Sequence, residues 1–193
     1  MPLPSEFDNI HTPIARDFIN KERKFFIENL FKKNDSILDI GNQGKEIPEL
    51  HEFNIQTLDI TPDTSPDVIA DITLYNDHIP ANSYDVIMCT EVLEHVVDPF
   101  AAVREIRRIA KVGGHIFFTT PLNARIHGPI PDCWRFTEFG LKVLFRDFEI
   151  IRFEKLETPG RNLFPLHYAC IAKKKDSIGS ESDPRKMQFQ RIQ

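Results

Sequence analysis

The sequence predicts an α/β fold built around a doubly wound, mostly parallel sheet. Short apolar runs alternate along the chain with helical patterns, which is typical of βαβ units. The runs are almost continuously apolar and therefore indicate strands that are buried on both faces. Three of the predicted strands end on an acid: Asp39, Asp59 and Asp71. Because ligands of such sheets bind at the carboxyl ends of the strands, these acids indicate the expected binding edge.

One helix and four strands are predicted in the first half of the chain. Thr12 followed by Pro13 is a typical helix start, and an apolar stripe continues from there to about Lys33. The strands are predicted at 36–41, 54–60, 67–71 and 84–90. Residues 1–12 contain prolines and show no period, so we expect them to form a loosely held N-terminal arm.

The second half of the chain predicts two helices and three strands. The first helix begins at Asp98 and Pro99, and Thr137 caps the second. Strands predicted at 115–120, 148–155 and 168–173 bring the sheet to seven strands, of which the last is expected to be antiparallel. The domain is thus predicted to cover 13–173, and the polar, aperiodic residues 174–193 predict a disordered tail.

Composition and charge restrict the possible functions. The 193 residues fit one globular domain, no run approaches the ~20 apolar residues of a membrane helix, and no secretory signal is visible. Three dispersed cysteines without a CxxC pair indicate free thiols in the cytoplasm. The net charge is −5, and the basic residues concentrate after residue 172. The acidic body is therefore a poor binder of a nucleic-acid backbone, and we expect neither a nucleic-acid nor a membrane partner.

Three motifs together resemble the class I S-adenosyl-L-methionine (SAM)-dependent methyltransferases. The first is the run Ile37-Leu38-Asp39-Ile40-Gly41-Asn42-Gln43-Gly44, and the second pairs Leu58-Asp59-Ile60 with Ala70-Asp71-Ile72. The third is Tyr84 to Val96, which contains Glu91-Val92-Leu93-Glu94-His95 and is similar to the "EVLEH" turn of the type 11 subgroup. The resemblance spans about 36–150 and implies the Rossmann-like methyltransferase fold, with SAM as the cofactor.

The resemblance implies a set of cofactor-binding residues. A glycine turn after the first strand allows the backbone to approach a ligand, and a carboxylate at the end of the second strand can accept both ribose hydroxyls. Ile60 would pack on the adenine, Asp71 would accept its amino group, and Ile72 would offer a backbone N–H. The full set is Asp39, Gly41, Gly44, Asp59, Ile60, Asp71, Ile72 and Glu91.

The glycine turn departs from the family pattern, which leaves alternatives open. Gln43 and Lys45 stand where the D-x-G-x-G-x-G turn has glycines, and the segment 45–53 is short for a crossover helix. One interpretation is a shortened SAM pocket, and another is a noncatalytic relative that binds a partner or ligand. A nucleotide-binding oxidoreductase would need G-x-G-x-x-G after the first strand, which Gly41-Asn42-Gln43-Gly44 does not supply.

The residues 91–95 also raise the question of a metal site. Glu91, Glu94 and His95 are spaced i, i+3 and i+4, so they would share one face of a helical turn. Carboxylates with an imidazole suit a divalent ion, and related constellations bind one in some methyltransferases. In the other interpretation Glu91 lines the methionine end of SAM while Glu94 and His95 brace the turn. We favour this interpretation over a metal site and predict no metal. A role of His95 as a general base is a separate hypothesis, to which a hydrogen-bonded structural histidine is the alternative.

The loop 120–137 is predicted to form the acceptor side of the site. It is similar to the "H-x-x-P-x-D-Y-W-R-F-T" run of methyltransferases from sugar and glycan pathways, with Cys133 in place of the aromatic residue. Trp134 either stacks on an acceptor or anchors the loop, and we favour the anchor. His95 and His127 are the predicted catalytic residues, since an imidazole can take a proton from an acceptor hydroxyl. The expected acceptor is a small molecule or a sugar. His167 lies near the last predicted strand and could approach the pocket, but nothing in the sequence connects it with the site.

Overall fold

The computed structural model describes residues 5–41, 47–128 and 131–176 of the chain. Within these ranges three α-helices and seven strands are formed. The helices are α1 (Glu6–Leu30), α2 (Pro99–Ile109) and α3 (Glu138–Leu144). The strands are β1 (Ile37–Ile40), β2 (Ile55–Asp59), β3 (Val68–Ile69), β4 (Tyr84–Thr90), β5 (Ala110–Pro121), β6 (Phe148–Leu156) and β7 (His167–Lys174). No helix in the described part of the chain is long and apolar enough to cross a membrane.

The seven strands form one sheet in the order β3-β2-β1-β4-β5-β7-β6. All pairs from β3 to β5 are parallel, and β7 is antiparallel to both of its neighbours. The predicted fold class, a doubly wound and mostly parallel sheet with an antiparallel last strand, is confirmed. Because β7 runs backwards, its first residue His167 pairs with Pro121 at the carboxyl end of β5. The antiparallel strand therefore brings a side chain to the edge where the parallel strands end.

Apolar layers cover both faces of the sheet. On one face Phe26 of α1 stacks on Phe117 of β5 at 5.3 Å between ring centroids. On the other face the next residue of β5, Phe118, stacks on Phe145 at 4.0 Å. Successive strand residues point to opposite faces, so β5 contributes side chains to both apolar layers. Full burial of each such ring stabilises the fold by roughly 1.5–3 kcal/mol.

The first helix begins earlier than the sequence analysis predicted. Ser5 caps it through a capping box, in which the Asp8 carboxylate accepts from the Ser5 backbone N–H at 2.7 Å. Pro13 consequently lies inside α1 and not at its first turn. The predicted start at Thr12 is wrong because the Ser5–Asp8 capping box already supplies a helix start. The helix also ends at Leu30 rather than near Lys33.

Other boundaries differ less. The third strand is shorter than the predicted 67–71, and β5 begins at Ala110, before the two glycines. The helix start at Asp98 is confirmed, since its carboxylate accepts from the Ala101 N–H at 2.9 Å. The division of the chain into the arm, the domain and the tail stays a prediction. Residues 1–4 of the arm and 177–193 of the tail lie outside the described residues.

Candidate functional site

The turn after β1 leaves no room for a side chain at residue 41. Asp39 is completely buried, and Gly41 follows with φ at +94° and an N–H that donates to the Leu58 carbonyl at 2.8 Å. A β carbon on residue 41 would lie 2.9 Å from Cγ2 of Val92. Only glycine therefore fits this turn without a shift of Val92. Gly44, Gln43 and Lys45 lie outside the described residues, so the predicted role of Gly44 stays a prediction.

Two carboxylates and an exposed apolar side chain lie side by side at the ends of β2 and β3. The half-buried Asp59 accepts from the Thr61 N–H at 3.0 Å through Oδ1, and its carbonyl accepts from Ala70 N at 2.9 Å. Asp71 follows β3 and accepts from the backbone N–H and hydroxyl of Thr73. Ile60 is 67 % exposed, whereas Ile72 is buried in the core.

This arrangement fits an adenosine group. A carboxylate can accept a ribose diol, and an exposed aliphatic side chain offers an apolar surface to an adenine ring. The structure therefore places four of the predicted residues at one edge: Asp59, Ile60, Asp71 and Ile72.

An open cleft of about 950 Å³ lies between α1 and the carboxyl ends of β4 and β5. One face of α1 lines it over nearly the whole helix, and Glu91, His95, His127 and His167 line the opposite side. Arg23 also lines the cleft, and burial lowers the pKa of its guanidinium while Glu49 and Asp39 oppose that shift. The volume and the polar lining suit a small-molecule ligand.

Glu91 lies where β4 ends and is held from two sides. Its φ is +54°, an unusual conformation for a non-glycine residue, and its N–H donates to the Thr119 carbonyl at 3.2 Å. The Thr119 hydroxyl donates to Oε1 of Glu91 at 2.7 Å, and Nε2 of His167 lies 3.0 Å from Oε2. Sequence reasoning missed His167 as a partner of the site. The available signal was its position at the start of an antiparallel strand next to the binding edge.

Glu94, His95 and His127 form a second cluster. One ligand atom from each lies within 4.8 Å of the other two, so the three could hold a divalent ion. The segment 91–95 is a non-helical turn, so the predicted shared helical face of Glu91, Glu94 and His95 does not form. Glu91 instead contacts His167, and His127 from the loop takes its place in the cluster.

Glu94 is an unusual carboxyl group. Its side chain is fully buried, and burial together with the charge of Glu91 raises the pKa of Glu94 to about 9. Oε2 accepts from the Thr120 hydroxyl at 3.3 Å, while Oε1 has no hydrogen-bond partner among the described residues. At neutral pH the group is therefore a neutral acid.

The two predicted catalytic histidines meet beside this acid. The rings of His95 and His127 are 5.0 Å apart between centroids. In each ring Nδ1 lies 3.1 Å from a backbone carbonyl, that of Pro131 for His95 and that of Arg125 for His127. A carbonyl can only accept, so each Nδ1 carries the hydrogen and each Nε2 of a neutral ring keeps a lone pair.

Ion pairing and an aromatic anchor hold the described part of the loop 120–137. Asp132 accepts from Nη2 of Arg135 at 2.7 Å and from the His127 N–H at 2.9 Å. The Arg135 guanidinium holds the pKa of Asp132 near 2. The Trp134 indole donates to the Val96 carbonyl at 2.9 Å, so Trp134 anchors the loop, which agrees with the favoured interpretation.

The fold and the site define a class of protein. A seven-stranded sheet with an antiparallel last strand and a glycine turn after β1 are features of the SAM-dependent methyltransferases. A family model described as "Methyltransferase domain" matches residues 14–167. The chain therefore belongs to this methyltransferase family, whose cofactor is SAM.

Curated proteins of similar sequence support the same family. A "Ubiquinone biosynthesis O-methyltransferase" of Vibrio parahaemolyticus is 38 % identical over 90 residues, which are 46 % of this chain and 34 % of that protein. A relative of the same name from Vibrio vulnificus is 38 % identical over 91 residues, again 46 % of this chain and 34 % of the relative. The matching segment thus spans about a third of these curated relatives.

Solved structures with low sequence identity share the fold. A SAM-dependent methyltransferase from Methanosarcina mazei has a TM-score of 0.58 at 20 % identity, and the match covers 78 % of this chain and 97 % of that one. A methyltransferase from Archaeoglobus fulgidus has a TM-score of 0.60 at 19 % identity, with 88 % and 100 % coverage.

Proposed function

We propose that the protein transfers a methyl group from SAM to a hydroxyl of a small-molecule or sugar acceptor. The observation that carries this proposal is the cleft, which borders the carboxyl ends of the strands and is lined by His95 and His127. The name of the Vibrio relatives supports an oxygen nucleophile. The resemblance of the loop to sugar and glycan methyltransferases supports the acceptor class. Buried free thiols at Cys89 and Cys170 support a reducing compartment such as the cytoplasm.

The edge formed by β1, β2 and β3 would hold the cofactor. In this proposal Asp59 accepts the ribose hydroxyls, Ile60 contacts the adenine, and Asp71 with the Ile72 backbone binds the adenine edge. The closed turn at Gly41, with Asp39 buried before it, shapes the backbone that faces the ligand. Bound SAM supplies an electrophilic methyl group on a sulfonium. The chief task of the chain is then to hold two reactants in line, which contributes much of the rate enhancement in such reactions.

His95 and His127 would take the proton of the acceptor. Both rings are fixed by a carbonyl at Nδ1, which leaves Nε2 as the hydrogen-bond acceptor. A positioned base of this kind contributes roughly 10²–10⁴-fold in rate. We therefore expect His127→Gln to lower kcat by about 10²-fold with little change in SAM affinity.

Calorimetric titration with S-adenosylhomocysteine tests the cofactor site. Asp59→Ala should weaken binding by at least about tenfold, because a hydrogen-bonded charged group contributes about 1.5–3 kcal/mol. Asp63→Ala is the matched control, since this exposed acid in the neighbouring turn (Pro62–Thr64) should leave the affinity unchanged. If the wild-type protein binds neither SAM nor S-adenosylhomocysteine, the noncatalytic alternative that Gln43 and Lys45 suggest replaces the proposed enzyme.

Transfer of a labelled methyl group to a panel of sugars and phenols tests the acceptor. The panel should include amine analogues of the same compounds, because they distinguish O- from N-methylation. Labelled products from hydroxyl compounds alone support the proposal. Turnover on amines but not on hydroxyls would contradict it.

A further inference from the structure

We propose that His167 is a positioning residue, which holds the Glu91 carboxylate as the acceptor for the α-ammonium group of the cofactor. This inference rests on the proposed function. It assigns a role to a histidine that no motif in the sequence connects with the site. The two residues are 76 positions apart in sequence and in direct contact in the fold.

The topology of the sheet fixes the position of His167. It is the first residue of β7 and pairs with Pro121 at the end of β5 and with Leu156 at the end of β6. Side chains alternate along a strand, so His167 shares a face with Ala169 and Ile171, which pack in the layer beneath α1. This is the face that the cleft borders, and His167 lines the cleft.

The contact with Glu91 fixes the tautomer of the imidazole. A carboxylate oxygen accepts, so Nε2 of His167 carries the hydrogen that it donates to Oε2 at 3.0 Å. Nδ1 is buried and has no hydrogen-bond partner among the described residues. A buried N–H without an acceptor is costly, so Nε2, which faces Oε2 of Glu91, is the nitrogen that carries the hydrogen. The histidine therefore holds the Glu91 carboxylate in one orientation.

The Glu91 carboxylate remains able to bind a cation. Its two oxygens offer about four lone-pair positions, of which Thr119 and His167 use one each. The side chain is 22 % exposed and lines the cleft, so the remaining positions can reach a ligand.

The chemistry of the cofactor supplies a matching cation. The methionine end of SAM carries an ammonium group with three N–H donors, and a charge-assisted hydrogen bond to a carboxylate is about twice as strong as a neutral one. Glu91 has a positive φ, and its side chain contacts Thr119 and His167. Such strain in a non-glycine residue is typical of functional positions.

Two ligands that differ in the amino-acid end provide the test. S-adenosylhomocysteine carries the ammonium group, whereas 5′-methylthioadenosine keeps the adenosine and lacks the whole amino-acid end. Titration calorimetry on Glu91→Gln should show S-adenosylhomocysteine bound about tenfold or more weakly, with methylthioadenosine affinity within about twofold of wild type. His167→Leu should show the same selective loss, and His167→Gln should restore most of it because the Gln amide can replace the Nε2–H donor.

Controls separate a positioning role from a structural one. Tyr168→Phe changes the next residue of β7, whose side chain faces the opposite layer, and should leave both affinities unchanged. Equal losses for both ligands, or none for either, in Glu91→Gln would overturn the inference. If His167→Leu does not fold, His167→Phe, which also lacks the donor, takes its place, and unchanged affinities in the folded variant would overturn the role of His167. Binding of neither ligand by the wild-type protein would instead refute the proposed function, and the inference with it.

Discussion

Gly41 and Val92 are in contact at the point where β1 ends. With φ at +94°, a β carbon on residue 41 would lie 2.9 Å from Cγ2 of Val92, closer than side-chain carbons pack. Val92 belongs to the turn after β4, the strand that pairs with β1. The turn after β1 and the turn that carries Glu91 are therefore packed directly on each other. A substitution that shifts one of these turns should also shift the other.

Gly41→Ala is expected to destabilise the protein by about 2–3 kcal/mol. A positive φ costs a residue with a β carbon roughly 1–2 kcal/mol, and the contact with Val92 adds to it. Urea unfolding measures the loss. Gly160→Ala is the matched control, because φ is +72° there but nothing lies within 4 Å of the added carbon. Equal losses of unfolding free energy at the two positions would show that the contact with Val92 does not contribute.

Glu94 should make the stability fall as the pH rises. Its pKa is about 9 in the folded protein and near the ordinary value of 4.5 in the unfolded chain. Between these values the folded state holds one proton more than the unfolded state, so raising the pH favours unfolding, by up to about 1.4 kcal/mol per pH unit. The stabilising effect is complete below pH 4.5 and is lost by pH 9.

Glu94→Gln tests this dependence. Glutamine resembles the protonated acid in shape but does not titrate, so the variant should show a flatter pH profile between pH 6 and 9. Urea unfolding at half-unit steps measures both profiles. Glu49→Gln, at another acid of the cleft, is the control and should keep the wild-type slope. Identical slopes in Glu94→Gln and wild type would show that Glu94 is ionised throughout.

The sequence predicted the sheet well because strands bury continuous apolar runs, and these are visible locally. The start of α1 was mispredicted because Thr12-Pro13 and Ser5-x-x-Asp8 are both plausible helix starts, and the structure uses the Ser5–Asp8 capping box. The positions of Asp59 and Asp71 at the ends of β2 and β3 were predictable, because each acid follows an apolar run. The contact of Glu91 with His167 was not predictable, since it depends on the register that pairs His167 with Pro121 and on the positive φ at Glu91.

Divalent ions are expected to bind the cluster of Glu94, His95 and His127 weakly at neutral pH. An ion can use Glu94 only after displacing a proton that is held with a pKa of about 9. At pH 7 this competition weakens binding by about a hundredfold. Titration with Mn²⁺ should therefore show affinity rising by about tenfold per pH unit from Glu94 alone. Glu94→Gln should remove that contribution, and tight binding already at pH 6 would contradict the expectation.

Trp134→Ala should loosen the loop 120–137 without changing the edge that carries Asp59 and Asp71. The indole is 39 % exposed, so its burial contributes modestly, but its N–H fixes the loop to the Val96 carbonyl at 2.9 Å. Loss of this anchor should speed tryptic cleavage after Arg125 several-fold, because about 1 kcal/mol of local hydrogen bonding is removed. Phe100→Ala removes a ring of comparable exposure, 46 %, from α2 and should leave cleavage unchanged. Binding of S-adenosylhomocysteine should stay within about twofold in both variants. If cleavage after Arg125 does not accelerate in Trp134→Ala, the ion pair of Asp132 with Arg135 holds the loop by itself.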